Sequence, residues 1–221
     1  MSLLKLAKNW INDQIAAIQD FLVPENTKIQ KLLAMDLWVM KQLLPTSPVN
    51  IKDVLVLFNY NNQVVKFIVK SIKYKNSSSL RKRIAAYFHE EIIEMSEDIT
   101  LFEGAPPILV PMPMSKKEKR SRGFNQCEEI CLEIGRLAPK EINISYQALK
   151  KIRETKRQTV LDRAKRILNV KNSMVADSQL VQNKTIIVLD DVYTTGSSME
   201  EVRRALKLSG AKRVINLFIA H

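Results

Sequence analysis

The chain has 221 residues, is 46% hydrophobic with only 5 glycines and 8 prolines, and carries a formal charge of +12. That length and apolar content suit a folded protein with one substantial core and a modest accessory segment, and argue against disorder. No stretch approaches the roughly 18 apolar residues of a membrane span, so no membrane insertion is expected; with a start unlike a signal peptide, the expected location is cytoplasmic.

Residues 1–22 place Leu3, Leu6, Ala7, Trp10, Ile11, Ile15, Ile18 and Leu22 at helical spacing, and Pro24 ends that run. A second helix is expected over 29–44, stopped by Pro45-Thr46-Ser47-Pro48. This stop sets the expected division into a helical N-terminal segment, residues 1–50, and a main domain, residues 51–221. Val54–Phe58 reads as a strand and Gln63–Tyr74 as a helix. Ser77-Ser78-Ser79 can cap a further helix running to residue 95. A buried-looking strand at 108–110 precedes a loop over 111–123, and a helix is expected over 124–137. Within it, Cys127 and Cys131 read as two small hydrophobes and not as a bridge, and no second cysteine pair completes a zinc site.

After a short strand expected at 146–149, the chain alternates clearly. Strand 185–189, a loop, helix 198–209, Gly210 as its stop and strand 213–219 make a parallel βαβ unit. Its strands are continuous apolar runs, as expected where helices cover both faces of a sheet. The expected fold is therefore α/β, a mostly parallel sheet flanked by helices, with a helical N-terminal extension.

Charge is unevenly placed. Residues 64–83 hold seven basic side chains and no acid, residues 150–171 hold nine basic and two acidic, and residues 90–103 carry six acids. Such asymmetry suits polyanionic partners, either phosphorylated metabolites or nucleic acid, and also suits solvated surface.

The loop after strand 185–189 carries chemistry. Asp190 and Asp191 stand at the carboxyl end of a parallel strand, where ligands collect in open α/β sheets. Gly196 admits close backbone approach, and the amides and hydroxyls of Thr194, Thr195, Ser197 and Ser198 can donate to phosphate oxygens at a helix N-terminus. Two adjacent carboxylates suit sugar hydroxyls or a divalent cation. The same residues also fit an Asp-rich turn before a capped helix.

The run Val188-Leu189-Asp190-Asp191-Val192-Tyr193-Thr194-Thr195-Gly196-Ser197-Ser198 closely resembles the 5-phosphoribosyl-1-pyrophosphate (PRPP) motif of type I phosphoribosyltransferases. Val110-Pro111-Met112-Pro113, Arg122-Gly123-Phe124-Asn125-Gln126, Ile72-Lys73-Tyr74-Lys75, and the series Arg153, Gln158, Leu161, Arg166, Asn169 resemble the ComF branch of such proteins, associated with competence and gluconate utilisation. The resemblance implies that Asp190 and Asp191 hold the ribose hydroxyls and a magnesium ion, and that Thr194, Thr195, Gly196, Ser197 and Ser198 cradle the 5-phosphate. It implies that Arg122 and Gly123 face pyrophosphate, that Lys73 reaches the same anion, and that residues 150–171 form a hood whose Arg153 and Gln158 act in catalysis. ComF relatives commonly begin with a four-cysteine zinc segment; this chain has no cysteine before Cys127, so no zinc is expected.

The expected function is magnesium-dependent phosphoribosyl transfer from PRPP with release of pyrophosphate. The alternatives are a competence accessory protein binding single-stranded DNA or a nucleotide, and a PRPP-sensing regulator. A homodimer is compatible with all three.

Overall fold

The protein's structure is a computed structural model. It describes residues 25–35, 37–139, 141–155 and 169–221. The helix expected over residues 1–22 lies outside these. In chain order the elements are α1 (Glu25–Ala34), α2 (Leu37–Leu43), β1 (Val54–Phe58), α3 (Gln63–Tyr74), α4 (Ser78–Glu103), β2 (Ile108–Pro111), α5 (Lys116–Arg122), α6 (Gln126–Leu137), β3 (Asn143–Ile144), β4 (Leu149–Lys151), β5 (Met174–Ala176), α7 (Ser178–Val181), β6 (Thr185–Val192), α8 (Ser197–Leu208) and β7 (Arg213–Ala220). Lys41–His221 forms one compact unit.

Its centre is a five-stranded, all-parallel sheet in the order β1-β7-β6-β2-β3. Parallel neighbours require a crossover, and the helices supply it. α8 carries β6 to β7, covering one sheet face in a core of Ile186, Val188, Val202, Leu206 and Val214. α6 lies against β2 and β6 on the other side, with α4 packed along it. There the apolar stripes of the two helices bury Ile84, Phe88, Ile130 and Ile134. Their apolar positions recur every three to four residues, which is why these segments are helices with one face inward.

Local differences from the sequence reading have physical causes. α4 runs on to Glu103 because Ser96 and Ile99 continue its buried stripe while Glu97 and Asp98 stay exposed. Gly104, at φ +74°, ends it. The segment over 111–123 is not all loop: Ser115 and Glu118 form a reciprocal cap that starts α5. α6 begins at Gln126 because the Asn125 side chain accepts the Cys127 amide as its cap. The strand expected at 146–149 begins instead at Leu149 and pairs antiparallel with β5, Leu149 opposite Ala176. The helix expected over 29–44 is divided into α1 and α2. Among the described residues, no helix is long and apolar enough to cross a membrane.

Candidate functional site

β6 extends through Val192 because β7 continues beside it, Asp190 against Phe218 and Val192 against Ala220. Asp190 and Asp191 are thus held by the sheet, and the loop proper is residues 193–196. They open on a cleft of about 1050 Å³ at the carboxyl end of the strands. This is where open parallel sheets place ligands.

Asp191 is 6% exposed. Its Oδ1 accepts from Lys73 Nζ at 2.8 Å, and its Oδ2 accepts from Gln126 Nε2 at 2.5 Å. Gln126 Oε1 in turn accepts from Arg122 Nη1 at 2.5 Å, and the Arg122 guanidinium lies 5.4 Å from the Tyr74 ring centroid. Burial alone would lower the Lys73 pKa, but the Asp191 carboxylate outweighs it and raises the ammonium above its ordinary value. Asp190 has a different setting. Its Oδ1 accepts the Asp191 amide at 2.8 Å and faces the Cys127 thiol at 3.9 Å. Burial and the adjacent charge of Asp191 push the Asp190 carboxyl up to about 7. Burial and the same two carboxylates push the Cys127 thiol up, which keeps it a neutral donor.

Beyond the carboxylates the chain turns through Gly196 at φ +77° into α8. Thr194, Gly196 and Ser198 line the cleft, while the hydroxyls of Thr195 and Ser197 are 2.9 Å apart, bonded to each other. A Cβ at position 196 would sit 3.2 Å from the Tyr193 hydroxyl. Gly196→Ala should therefore cost about 1–2 kcal/mol in left-handed strain, seen as a melting temperature lower by roughly 3–6 °C. An unchanged transition would show that the loop does not need this conformation.

The opposite wall comes from the Met112–Met114 loop, α5 and the β4–β5 hairpin. Met112 N–H donates to Leu189 O at 2.8 Å, and Asn125 Nδ2 donates to Met112 O at 3.0 Å, so the Pro-Met-Pro turn is fixed to β6 and α6. Lys151 Nζ lies 3.2 Å from Glu118 Oε2, and Glu154 Oε1 accepts the Lys117 amide at 3.2 Å. Burial would raise Glu118, but Lys151 and the Ser115 cap hold its carboxyl below the usual range. Below the hairpin, Glu201, 4% exposed, accepts the Met174 amide at 3.0 Å and pairs with Arg204 at 2.8 Å.

Of the residues singled out in the sequence, Lys73, Arg122, Asp190, Asp191, Thr194, Gly196 and Ser198 meet in one cleft. Gly123, at φ +86°, ends α5 outside the lining, and Thr195 and Ser197 lie behind it. Arg153 donates to the carbonyls of Asn169 and Lys171, at 3.0 and 2.6 Å, and braces the neck of its hairpin. Gln158, with Leu161 and Arg166, lies outside the described residues. Two side chains had no role assigned from sequence: Gln126, which stands between Arg122 and Asp191, and Cys127 against Asp190. The spacing of four between Arg122 and Gln126 was a usable signal; nothing local pointed from Cys127 to Asp190. Among the described residues, no group of three or more His, Cys, Asp or Glu side chains could hold a metal.

Residues 140–220 match the family model of the phosphoribosyl transferase domain. Competence protein ComFC of Streptococcus pneumoniae is 28% identical over 72% of this chain and 63% of its own length. The DNA utilization protein YhgH of Escherichia coli K12 is 25% identical over 66% of this chain and 63% of its own. The chain thus spans somewhat under two thirds of the length of these curated relatives. The adenine phosphoribosyltransferase of Leishmania donovani superposes with TM-score 0.43 at 15% identity, covering 78% of this chain and 72% of that one.

Proposed function

We propose that this ComF homologue, with its type I phosphoribosyltransferase fold, binds PRPP with magnesium in the cleft at the end of β6 and transfers the phosphoribosyl group with release of pyrophosphate. The observation that carries this reading is the conjunction, within nine consecutive positions, of a carboxylate pair and a helix-starting nest on one cleft. The nest suits the 5-phosphate, since amides at a helix N-terminus favour an anion. The carboxylates suit the ribose hydroxyls. Lys73 and Arg122 stand on the far side of Asp191, where departing pyrophosphate would gather charge.

Lys73, Lys117, Arg122 and Lys151 in the lining are matched by Glu118, Glu154, Asp190 and Asp191. The described walls alone do not make a strongly basic site. A pyrophosphate ester therefore needs further positive charge, which a bound cation would supply. The donor set fits magnesium only as the companion of its ligand: Asp190 and Asp191 are too few for an all-protein cage, and magnesium keeps water and substrate oxygens as ligands. Bound there with PRPP, the ion would offset the negative charge that develops on pyrophosphate.

Calorimetric titration with PRPP and magnesium tests the reading. Wild-type protein should bind, and the Asp190→Asn, Asp191→Asn double variant should lose at least a hundredfold in affinity, on the order of 3 kcal/mol. Binding untouched in that variant would place the ligand elsewhere.

The names of the relatives, a competence protein and a DNA utilization protein, favour a second reading, a role in handling DNA. Lys70 and Lys82 are exposed and available to a phosphate backbone, whereas Lys73 and Arg81 of the same stretch turn inward, Arg81 over the Phe124 ring. That reading predicts salt-sensitive DNA binding that survives the double variant.

A further inference from the structure

We infer that Gln126 and Tyr74 are positioning residues for Arg122: together they hold its guanidinium at the pyrophosphate end of the cleft and leave its charge unneutralised. The inference rests on the PRPP reading above and gives a task to two side chains which that reading leaves idle.

Arg122 is the last residue of α5 and Gln126 the first of α6. The chain breaks between them, because Gly123 at φ +86° ends one helix and the Asn125 side chain caps the next by accepting the Cys127 amide. Asn125 also donates to Met112 O, so the start of α6 is fixed to the Pro-Met-Pro turn. No continuous helix sets the two side chains against each other; a hydrogen bond does, from Arg122 Nη1 to Gln126 Oε1. Gln126 is itself held, 5% exposed, with its Nε2 donating to Asp191 Oδ2. Its amide can point only one way. A carboxylate offers acceptors alone and a guanidinium donors alone, so the carbonyl faces Arg122 and the amide nitrogen faces Asp191. The second support is the ring of Tyr74, an exposed residue at the end of α3, over which the guanidinium lies.

Both supports are uncharged. Lys73 and Lys151, which line the same cleft, pair with Asp191 at 2.8 Å and with Glu118 at 3.2 Å. Among the described residues no carboxylate pairs with Arg122. An acid at position 126 would hold the arginine as firmly, but it would cancel the charge and stand against Asp191. An amide fixes the place and keeps the charge, and so does a π face. A guanidinium has five N–H donors, so one bond to Gln126 leaves others for phosphate oxygens.

The test titrates PRPP, inorganic pyrophosphate and ribose 5-phosphate, each with magnesium, into full-length protein. Arg122→Met should weaken pyrophosphate about thirtyfold. Gln126→Met should weaken it about tenfold, the scale of a hydrogen bond to a charged group, and change ribose 5-phosphate less than about threefold. In the Arg122→Met background the same Gln126→Met change should matter less than about twofold, because its effect runs through the arginine. The isosteric Gln126→Glu should weaken pyrophosphate at least about tenfold, and serves in place of Gln126→Met if that variant does not fold. Tyr74→Leu, at an exposed position, should weaken pyrophosphate about threefold and likewise add nothing without Arg122. A Gln126→Met or Tyr74→Leu loss that persists in full beside Arg122→Met, or that falls equally on both smaller ligands, overturns the inference. So does a Gln126→Glu variant that binds pyrophosphate as well as wild type. Wild type that binds PRPP while Arg122→Met leaves pyrophosphate untouched also overturns it, with the PRPP reading intact. Wild type that fails to bind PRPP removes that reading and this inference with it.

Discussion

Exchanging Asp190 for asparagine raises the melting temperature of the ligand-free protein at pH 8, and exchanging Asp191 lowers it. The two substitutions are isosteric and adjacent, so their opposite signs come from electrostatics. The Asp190 carboxyl, pushed up to about 7 from an ordinary 3.8, ionises at a cost in the folded state. That cost is fully present above pH 7, shrinks as pH falls through the folded value, and is gone below the unfolded value. Stability attributable to this group therefore rises as pH is lowered from 8 towards 4, and Asp190→Asn should lose that slope. Water still reaches the half-buried side chain, which limits the gain to about 2 kcal/mol, or roughly 4–8 °C. In Asp191→Asn the loss runs the other way. Lys73 keeps its charge, 23% exposed, without the carboxylate that compensated its burial, at about 2–3 kcal/mol. Thermal melts of the two variants between pH 5 and 8 check both signs. Two variants shifting together would mean that the carboxylates share one environment.

Glu201→Ala should be among the most damaging single changes away from the ligand. This carboxylate receives backbone amides from Met174 and Asn172 as well as the Arg204 guanidinium, so its removal leaves buried donors without an acceptor. A loss of about 3–4 kcal/mol follows, or a melting temperature lower by roughly 6–16 °C. Burial would raise the Glu201 carboxyl, but Arg204 and the two amides hold it below 4.5. Its contribution is then present above pH 4.5 and disappears as pH falls below that value, so wild type and variant should converge in acid. Hydrogen exchange offers a local check, because protection at Met174 should fall before protection in β6 does. Equal loss throughout would show that Glu201 serves the whole fold and not the base of the hairpin.

How far the sequence could be read depended on how near in the chain the interacting groups stand. The β6–α8–β7 unit and its nest were legible because every signal sits within forty residues: apolar runs, a helix-start glycine, a hydroxyl cluster. The cleft's cation chemistry was not. Lys73 and Asp191 are 118 positions apart, and Gln126 and Asp191 are 65 apart. In the sequence Lys73 is one of seven like charges, with nothing local to show that it turns inward while Lys70 and Lys75 stay out. The β4–β5 hairpin was obscured for another reason: three-residue strands are too short to show alternation, and their pairing spans a long insertion. α4 runs past the expected end at residue 95 because Ser96 and Ile99 continue its buried stripe, with Glu97 and Asp98 on its wet face.

The strand order also bears on synthesis. β1 stands at an edge and its neighbour in the sheet is β7, so hydrogen bonds between Val54–Phe58 and Asn216–Ala220 cannot form until nearly the whole domain has left the ribosome. Until then the backbone partners open to β1 are those of the segment just before it, where Ser47 N–H donates to Leu57 O and Val54 N–H to Ile51 O. Completion of the sheet, and with it the folding speed, should be governed by the arrival of β7.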